Sequence, residues 1–262
     1  MCVYKGRGAK SGLEISWHDY GLLSPEEYLN DTIIDFYLKF LDSSDIVLNQ
    51  EQRSRCCFLS SFFWKLLARI GPEENYTTVF KWLRRFDIFG KDFVFVPICE
   101  RLHWSLAVLT YPRHIGFEKE AVTGKQVSIL YLDSFGRTKP MVFSRLRKCL
   151  GAVWRNQNPE EKEPLINNET VPGQNVKVPL QRNEYDCGLF MLHNVELLAK
   201  SRLEIPPTKG SLSQVYEAEE VEGNKRTKVQ GKRTFIQEIL TSLQPERKVV
   251  EMQLPGEYLC LD

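Results

Sequence analysis

Apolar positions recur at helical spacing in several parts of the chain, and signals for helix starts or stops bound each part. One such stretch spans 24–41, where Ser24 is suited to an N-cap and Pro25 to the first helical position. The same spacing predicts helices over 60–70, 78–85, 141–154, 187–200 and 235–244. The stretch 187–200 is apolar nearly all round, which is typical of a helix buried inside a fold.

Between these helices lie runs of β-branched and aromatic residues that have the length of strands. The runs FVFVPI (93–98), WSLAVLTY (104–111) and QVSILYL (126–132) are bounded by turn residues and predict three strands. NVKVPL (175–180) predicts a further short strand. The middle of the chain therefore supplies a sheet on which the helices can pack.

The composition is that of an ordinary globular protein. Hydrophobic residues make up 42% and charged residues 26% of the 262 positions, values that fit neither a disordered nor a fibrous protein. The formal net charge is +1, so no global attraction draws the chain to nucleic acid or to anionic lipid. No apolar run is long enough to cross a bilayer, and the opening MCVYKGRGAK lacks the apolar stretch of a secretion signal. We expect a soluble, intracellular monomer with no direct nucleic-acid or membrane partner.

The charge becomes uneven after residue 200. Four glutamates precede a basic group that consists of Lys225, Arg226, Lys228, Lys232 and Arg233. We predict one domain over 1–262, with a motif-bearing core over about 12–200, a mobile charged loop over 206–232 and a C-terminal extension over 233–262. The basic group has two interpretations, which are a nuclear localisation signal and a solvated loop.

The seven cysteines do not form a disulfide framework. Their number is odd and their spacing irregular, which predicts free thiols in a reducing compartment. There is no Cys-x-x-Cys pair and no Cys/His cluster at zinc spacing, so we expect neither a metal nor another cofactor. Most of these cysteines are expected to be small buried hydrophobes, and a catalytic role for any of them needs support from its neighbours.

Three short strings carry residues suited to nucleophilic catalysis: LHWSLAVL around His103, LYLDSFG around Asp133 and VPLQRNEYDCGLF around Cys187. Cys187 opens a predicted helix directly after a loop, where the helix N-terminus favours a thiolate. His103 precedes one strand and Asp133 ends another, so the two meet at one sheet edge if these strands are neighbours. Asp133 would then accept a hydrogen bond from one imidazole nitrogen and leave the other facing the thiol.

Residues around Cys187 add to this hypothesis. Gln181, six positions earlier, is a candidate oxyanion donor, and Gly188 removes side-chain bulk where a substrate backbone would approach. Asp186 is a candidate N-cap whose negative charge opposes a thiolate unless an imidazolium outweighs it. Each of these residues also has an ordinary structural explanation. The catalytic hypothesis therefore depends on their joint occurrence in the order His, Asp, Gln, Cys, each at the end of an element.

These strings resemble the catalytic domain of the ubiquitin-like-protein-specific proteases, also called SUMO or sentrin proteases. The similarity runs from EEYLNDTIIDFYLKFL through DIFGKDFVFVPICERLHWSLAVL and LYLDSFG to QRNEYDCGLFML, and it is greatest with the branch that trims SUMO chains. The resemblance implies an α+β fold of the papain-like cysteine protease superfamily, with a central mixed sheet flanked by helices. It also implies four roles: His103 as general base, Asp133 as its orienter, Cys187 as nucleophile and Gln181 in the oxyanion hole.

The resemblance further implies a narrow tunnel for the Gly-Gly tail of the modifier. Trp104 would form its roof, and Tyr28 stands on the opposite wall where many members carry Trp. Flat aromatic walls exclude any Cβ, so such a tunnel selects glycine by steric rejection. The interval of 30 residues from His103 to Asp133 is longer than in compact members, and its part 112–125 is predicted to form a β-hairpin. The implied function is a cysteine isopeptidase that removes SUMO or trims SUMO chains in the nucleus, with the cytoplasm as the alternative location.

Other functions are compatible with the same residues. The site could process another modifier, such as NEDD8 or ubiquitin, or transfer an acetyl group, because an acyl-thioester passes to whichever nucleophile enters. The chain could instead be an inactive module that binds a ubiquitin-like protein, although the four intact residues argue against this. The basic stretch 81–91 is either a surface for an acidic face of the modifier or a solvated helix edge.

Overall fold

A computed structural model of the chain describes residues 2–6, 12–71, 75–116, 126–201 and 227–243. The strands are β1 (Cys2–Tyr4), β2 (Leu13–Ile15), β3 (Cys56–Phe58), β4 (Phe93–Glu100), β5 (His103–Thr110), β6 (Ser128–Leu132) and β7 (Gly173–Val176). The helices are α1 (Trp17–Gly21), α2 (Asp31–Ser43), α3 (Gln50–Ser54), α4 (Phe62–Ala68), α5 (Thr77–Leu83), α6 (Pro140–Gln157), α7 (Cys187–Lys200) and α8 (Thr227–Ser242). No helix among the described residues is both long enough and apolar enough to span a membrane.

Within the described residues, β3 to β7 form one mixed sheet in the order β3-β4-β5-β6-β7. The two outer pairs, β3 with β4 and β6 with β7, are parallel. The two inner pairs, β4 with β5 and β5 with β6, are antiparallel. β1 and β2 pair separately and antiparallel. The order makes β5 the central strand, with β6 beside it.

Alternation along β4 explains why the sheet has a hydrophobic core on each face. Phe93 and Phe95 belong to the core that contains α2, α7 and α8, whereas Val94 and Val96 belong to the core that contains α4, α5 and α6. The molecule therefore has three layers, with the sheet between two groups of helices. This arrangement confirms the predicted α+β fold, in which a mixed sheet is flanked by helices.

The helix predicted over 24–41 begins later than expected, at Asp31. Asn30 is the N-cap, because its side chain accepts a hydrogen bond from the N–H of Ile33 at 3.1 Å. Glu26 has a φ of 65°, a left-handed conformation that no helix accommodates. Ser-Pro at 24–25 and Asn-Asp at 30–31 are both good start signals, and local pattern does not choose between them.

Two predictions about the end of the chain are also wrong in part. α8 begins at Thr227, so the expected boundary between a mobile loop over 206–232 and an extension over 233–262 falls inside a helix. Lys232 and Arg233 are buried, so these two members of the basic group are neither solvated nor available as an exposed localisation signal. The segments 206–226 and 244–262 lie outside the described residues.

Two further segments differ from the prediction. Most of the β-hairpin expected over 112–125 lies outside the described residues, and its first part is a short 3₁₀ helix, Pro112–His114. The strand expected over 175–180 is β7, which begins and ends earlier, at Gly173–Val176. The basic stretch 81–91 begins inside α5, which packs on the face of the sheet opposite α7.

Candidate active site

The antiparallel pairing of β5 and β6 places two candidate residues at one edge of the sheet. His103 is the first residue of β5, and Asp133 directly follows the last residue of β6. Nε2 of His103 lies 2.9 Å from Oδ1 of Asp133, and both side chains are buried. The imidazole is therefore oriented by a carboxylate that water scarcely reaches.

Asp133 is held by two donors besides His103. The N–H of Phe135 donates to its Oδ1 at 2.8 Å, and the hydroxyl of Tyr131 donates to its Oδ2 at 3.1 Å. Burial raises the pKa of Asp133, but these hydrogen bonds and the one from His103 outweigh burial and hold the pKa below its usual value. Asp133 is therefore ionised at neutral pH. The sequence alone could have indicated Tyr131 as a partner of Asp133, because it lies two positions earlier and residues two apart along a strand share a face.

Cys187 is the first residue of α7, buried at the same edge of the sheet. Its thiol is close enough to the His103 ring to affect the pKa of that ring. Burial lowers the pKa of His103, but the interactions with Asp133 and Cys187 raise it to about 9. At neutral pH the ring is therefore protonated, and an imidazolium is the counter-ion that a thiolate requires.

The second ring nitrogen of His103 is the one left for the thiol. Nδ1 is buried and forms no direct hydrogen bond with any part of the chain that the structure describes. Since Asp133 occupies Nε2, Nδ1 is the ring nitrogen available to the thiol. The Phe135 ring stacks on the imidazole at 4.7 Å between centroids and limits its movement.

Gln181 is fixed by Ser134, the residue after Asp133. Its N–H donates to the Ser134 carbonyl at 3.0 Å, and its Oε1 accepts from the Ser134 hydroxyl at 2.5 Å. Its Nε2 donates one hydrogen to the carbonyl of Asn183 at 2.6 Å. Because an amide nitrogen carries two hydrogens, one donor of Gln181 is left for a ligand.

Asp186 precedes Cys187 but does not cap α7, contrary to expectation. Its side chain makes no capping hydrogen bond. Instead, Oδ1 accepts from Nη2 of Arg233 at 2.9 Å and Oδ2 accepts from Nδ2 of Asn183 at 2.8 Å. The first-turn N–H groups of α7 therefore have no side-chain cap and can stabilise a developing negative charge.

Of the residues expected to form the tunnel, Trp104 lies against the start of α7. Trp104 is buried, and its Nε1 donates to the carbonyl of Leu29 at 2.8 Å. Tyr28, which directly precedes Leu29, is 41% exposed. A Cβ on Gly188 would lie 3.1 Å from Cβ of Leu29 and 3.3 Å from Cδ1 of Trp104. Gly188 therefore lets α7 pack closely on Leu29 and Trp104. Its expected role, to leave room for a substrate backbone, stays a prediction.

A metal site is not part of this arrangement. Across the described ranges, no group of three or more His, Cys, Asp or Glu side chains is placed to hold a metal ion. The geometry supports nucleophilic attack by a thiol. The carboxylate-bound imidazole accepts the proton of that thiol and serves as the counter-ion of the thiolate.

Comparison with known proteins identifies the family. The model of the Ulp1 protease family, C-terminal catalytic domain, matches residues 27–208. The chain belongs to the Ulp1 protease family. The matched region contains His103, Asp133, Gln181 and Cys187, whereas α8 lies beyond it.

Two relatives and one solved structure illustrate the similarity. A probable ubiquitin-like-specific protease 2B from Arabidopsis thaliana is 32% identical over 216 residues, covering 78% of this chain and 23% of the relative. Sentrin-specific protease 7 from Mus musculus is 39% identical over 265 residues, covering 75% of this chain and 24% of the relative. The chain thus spans about a quarter of the length of these relatives. A crystal structure of the de-sumoylating protease has the same fold, with a TM-score of 0.70 at 21% identity, covering 92% of this chain and 90% of that chain.

Proposed function

We propose that this chain is a cysteine isopeptidase that removes SUMO from conjugated proteins by cleavage after the Gly-Gly terminus of the modifier. The observation that carries the proposal is the Asp133-bound imidazole of His103 beside Cys187 at the start of α7, in a chain of the Ulp1 protease family. The names of the relatives, ubiquitin-like-specific and sentrin-specific protease, support the substrate class. The strings DIFGKDFVFVPI and NDTIIDFYLKFL support the finer proposal that the enzyme trims SUMO chains.

In the proposed mechanism the Cys187 thiolate attacks the carbonyl carbon of the last glycine of the modifier. The second N–H of Gln181 and the first-turn N–H groups of α7 stabilise the tetrahedral oxyanion. The His103 imidazolium then donates its proton to the departing lysine amine, and an acyl-thioester forms. In the second half, His103 takes a proton from water, the hydroxide attacks the thioester, and the thiol and the carboxylate of the modifier are released. No step needs a cofactor.

The remaining residues serve recognition in this proposal. Trp104 and Tyr28 form the walls of the Gly-Gly tunnel, and the hydrogen bond from Trp104 to Leu29 fixes the orientation of the indole. The partner is SUMO or a SUMO conjugate, bound by a monomer. The nucleus stays the proposed location on the family resemblance alone, because the buried Lys232 and Arg233 do not support an exposed signal.

A panel of electrophilic probes made from SUMO, NEDD8 and ubiquitin tests the proposal. We expect the SUMO probe to form a covalent adduct at Cys187 that is lost in Cys187→Ala and kept in Cys99→Ala, which serves as the thiol control. Labelling by the NEDD8 or ubiquitin probe alone would assign a different modifier. Absence of labelling by all three, with the chain folded, would contradict the enzyme and favour an inactive binding module. Faster cleavage of a SUMO dimer than of a SUMO precursor would support chain trimming, and the reverse order would contradict it.

A further inference from the structure

Two consecutive buried cations attach α8 to the rest of the molecule. Lys232 and Arg233 are only 5% and 9% exposed, and α8 packs on α7. Burying a charge is unfavourable unless hydrogen bonds and an opposite charge compensate it. The partners of these two side chains therefore indicate what α8 contributes.

The guanidinium of Arg233 joins two parts of the candidate active site. One is the loop that precedes α2, and the other is the residue directly before the nucleophile. Nη1 donates to the carbonyls of Leu22 at 3.1 Å and Ser24 at 3.0 Å, and Nη2 donates to the carbonyl of Glu27 at 2.6 Å and to Oδ1 of Asp186 at 2.9 Å. Four acceptors from two distant segments thus converge on one side chain.

The contact with Asp186 has an electrostatic consequence. A carboxylate directly before Cys187 would favour the neutral thiol over the thiolate. Arg233 supplies a fixed positive charge at 2.9 Å from that carboxylate and so offsets its field at the sulfur. Asn183 also binds Asp186, but as a neutral donor it leaves the charge in place.

The contacts with the loop have a geometric consequence. The loop held by Arg233 continues directly into Tyr28 and Leu29. The carbonyl of Leu29 accepts the hydrogen bond from Trp104, so loop and indole are connected. Release of this loop would move both proposed walls of the Gly-Gly tunnel.

We propose that Arg233 is a positioning residue of this active site: it neutralises Asp186 beside the nucleophile and holds the loop 22–27 that leads to the substrate tunnel. The role of the tunnel rests on the proposed function, whereas the effect on the thiol can be measured without any modifier. α8 is then part of the active-site scaffold, although it lies outside the residues matched by the family model.

The experiment compares variants of the 262-residue chain with a matched control. Arg233→Gln removes the charge, and Arg233→Gln combined with Asp186→Asn removes both charges. Lys232→Gln is the control, because Lys232 is the adjacent buried cation of α8 and binds Glu196 and the Tyr37 ring, at a distance in sequence from Cys187. The readouts are the pH dependence of iodoacetamide alkylation at Cys187, followed by peptide mass spectrometry, and kcat and KM on a SUMO-derived substrate.

We expect Arg233→Gln to raise the midpoint pH of Cys187 alkylation by about one unit, which corresponds to a tenfold smaller thiolate population. The double variant should recover the wild-type midpoint because no charge is left to compensate. Its KM should stay raised, because the loop 22–27 still lacks its guanidinium. Lys232→Gln should lower Tm and leave the midpoint unchanged.

Equal midpoint shifts in Arg233→Gln and Lys232→Gln, or no shift in either, would show that Arg233 is an ordinary structural cation and overturn the inference. If Arg233→Gln does not fold, Arg233→Lys provides the test, since it keeps the charge and should keep the midpoint while raising KM. A shifted midpoint in Arg233→Lys would contradict the electrostatic role. Failure of the wild type to react with any modifier probe would reject the proposed function, while the alkylation midpoints would still decide the role of Arg233.

Discussion

Replacing Asp133 by asparagine isolates the charge that keeps the His103 ring protonated. Oδ1 of Asp133 accepts both from Nε2 of His103 and from the N–H of Phe135. An amide oxygen at the same position satisfies both donors, so the ring keeps its orientation. The negative charge is lost, together with the hydrogen bond that Oδ2 accepts from the Tyr131 hydroxyl. Asp133→Asn therefore tests electrostatics with little change in shape.

The size of the effect follows from the raised pKa of His103. Its surroundings raise that pKa from 6.5 to about 9, in spite of burial, which acts in the opposite direction. At about 1.4 kcal/mol per pKa unit, they favour the imidazolium by about 3 kcal/mol. Loss of between half and all of this preference lowers the population of the imidazolium–thiolate pair roughly 20- to 300-fold.

The assay is the pH dependence of kcat/KM on a fluorogenic SUMO-derived substrate. The wild type should lose activity as the pH rises through about 9, where His103 gives up its proton. In Asp133→Asn this alkaline limb should move toward 6.5, and the plateau should fall roughly 20- to 300-fold. Asp35→Asn is the control, since Asp35 is also a buried carboxylate, but it is bound by Ser60 and Ser61 instead of His103. An alkaline limb that stays in place in Asp133→Asn would refute the reasoning.

Three further predictions concern stability. Because the folded-state pKa of His103 is raised from 6.5 to about 9, its contribution to the unfolding free energy is complete below pH 6.5 and is lost as the pH rises through 9, by up to about 3 kcal/mol. Urea unfolding of the wild type and of His103→Gln across this range measures the loss. Parallel pH profiles of the two proteins would exclude this contribution. Leu102→Gly should stabilise the protein by about 1 kcal/mol, because Leu102 is 79% exposed and has a φ of 59°, and a lower Tm would show that the turn is not strained. Gly188→Ala should destabilise the protein by about 1–3 kcal/mol, since its Cβ would lie 3.1 Å from Cβ of Leu29. Gly151→Ala in α6 is its control, because there the neighbouring atom is the tip of the Glu163 side chain, and equal destabilisation would contradict the packing argument.

The elements that sequence patterns predict well are those whose own residues determine their ends. α7 has the predicted bounds, because an apolar helix follows a polar loop directly at Cys187. β4 and β5 begin and end within two residues of the prediction. Readable strand ends also explain why His103 and Asp133 could be expected at one sheet edge.

The features that sequence patterns miss depend on contacts between distant segments. The start of α2 at Asp31 is one example, since the preceding loop is held in a non-helical conformation by Arg233, more than 200 positions along the chain. The true partner of Asp186 is another, because no local pattern pairs it with that same arginine. In the sequence Arg233 belongs to a run of charges that suggests solvent, and only the fold gives it an active-site role.

The central claim, that Cys187 is activated by the imidazolium of His103, is tested most directly by the alkylation of individual cysteines as a function of pH. Iodoacetamide labelling followed by peptide mass spectrometry reports Cys187 and Cys99 in the same sample, and burial raises the pKa of Cys99 to about 11. We predict that Cys187 is alkylated at a lower pH than Cys99, and that His103→Ala abolishes this difference. If Cys187 instead reacts only at the alkaline pH at which Cys99 does, with or without His103, the account is contradicted.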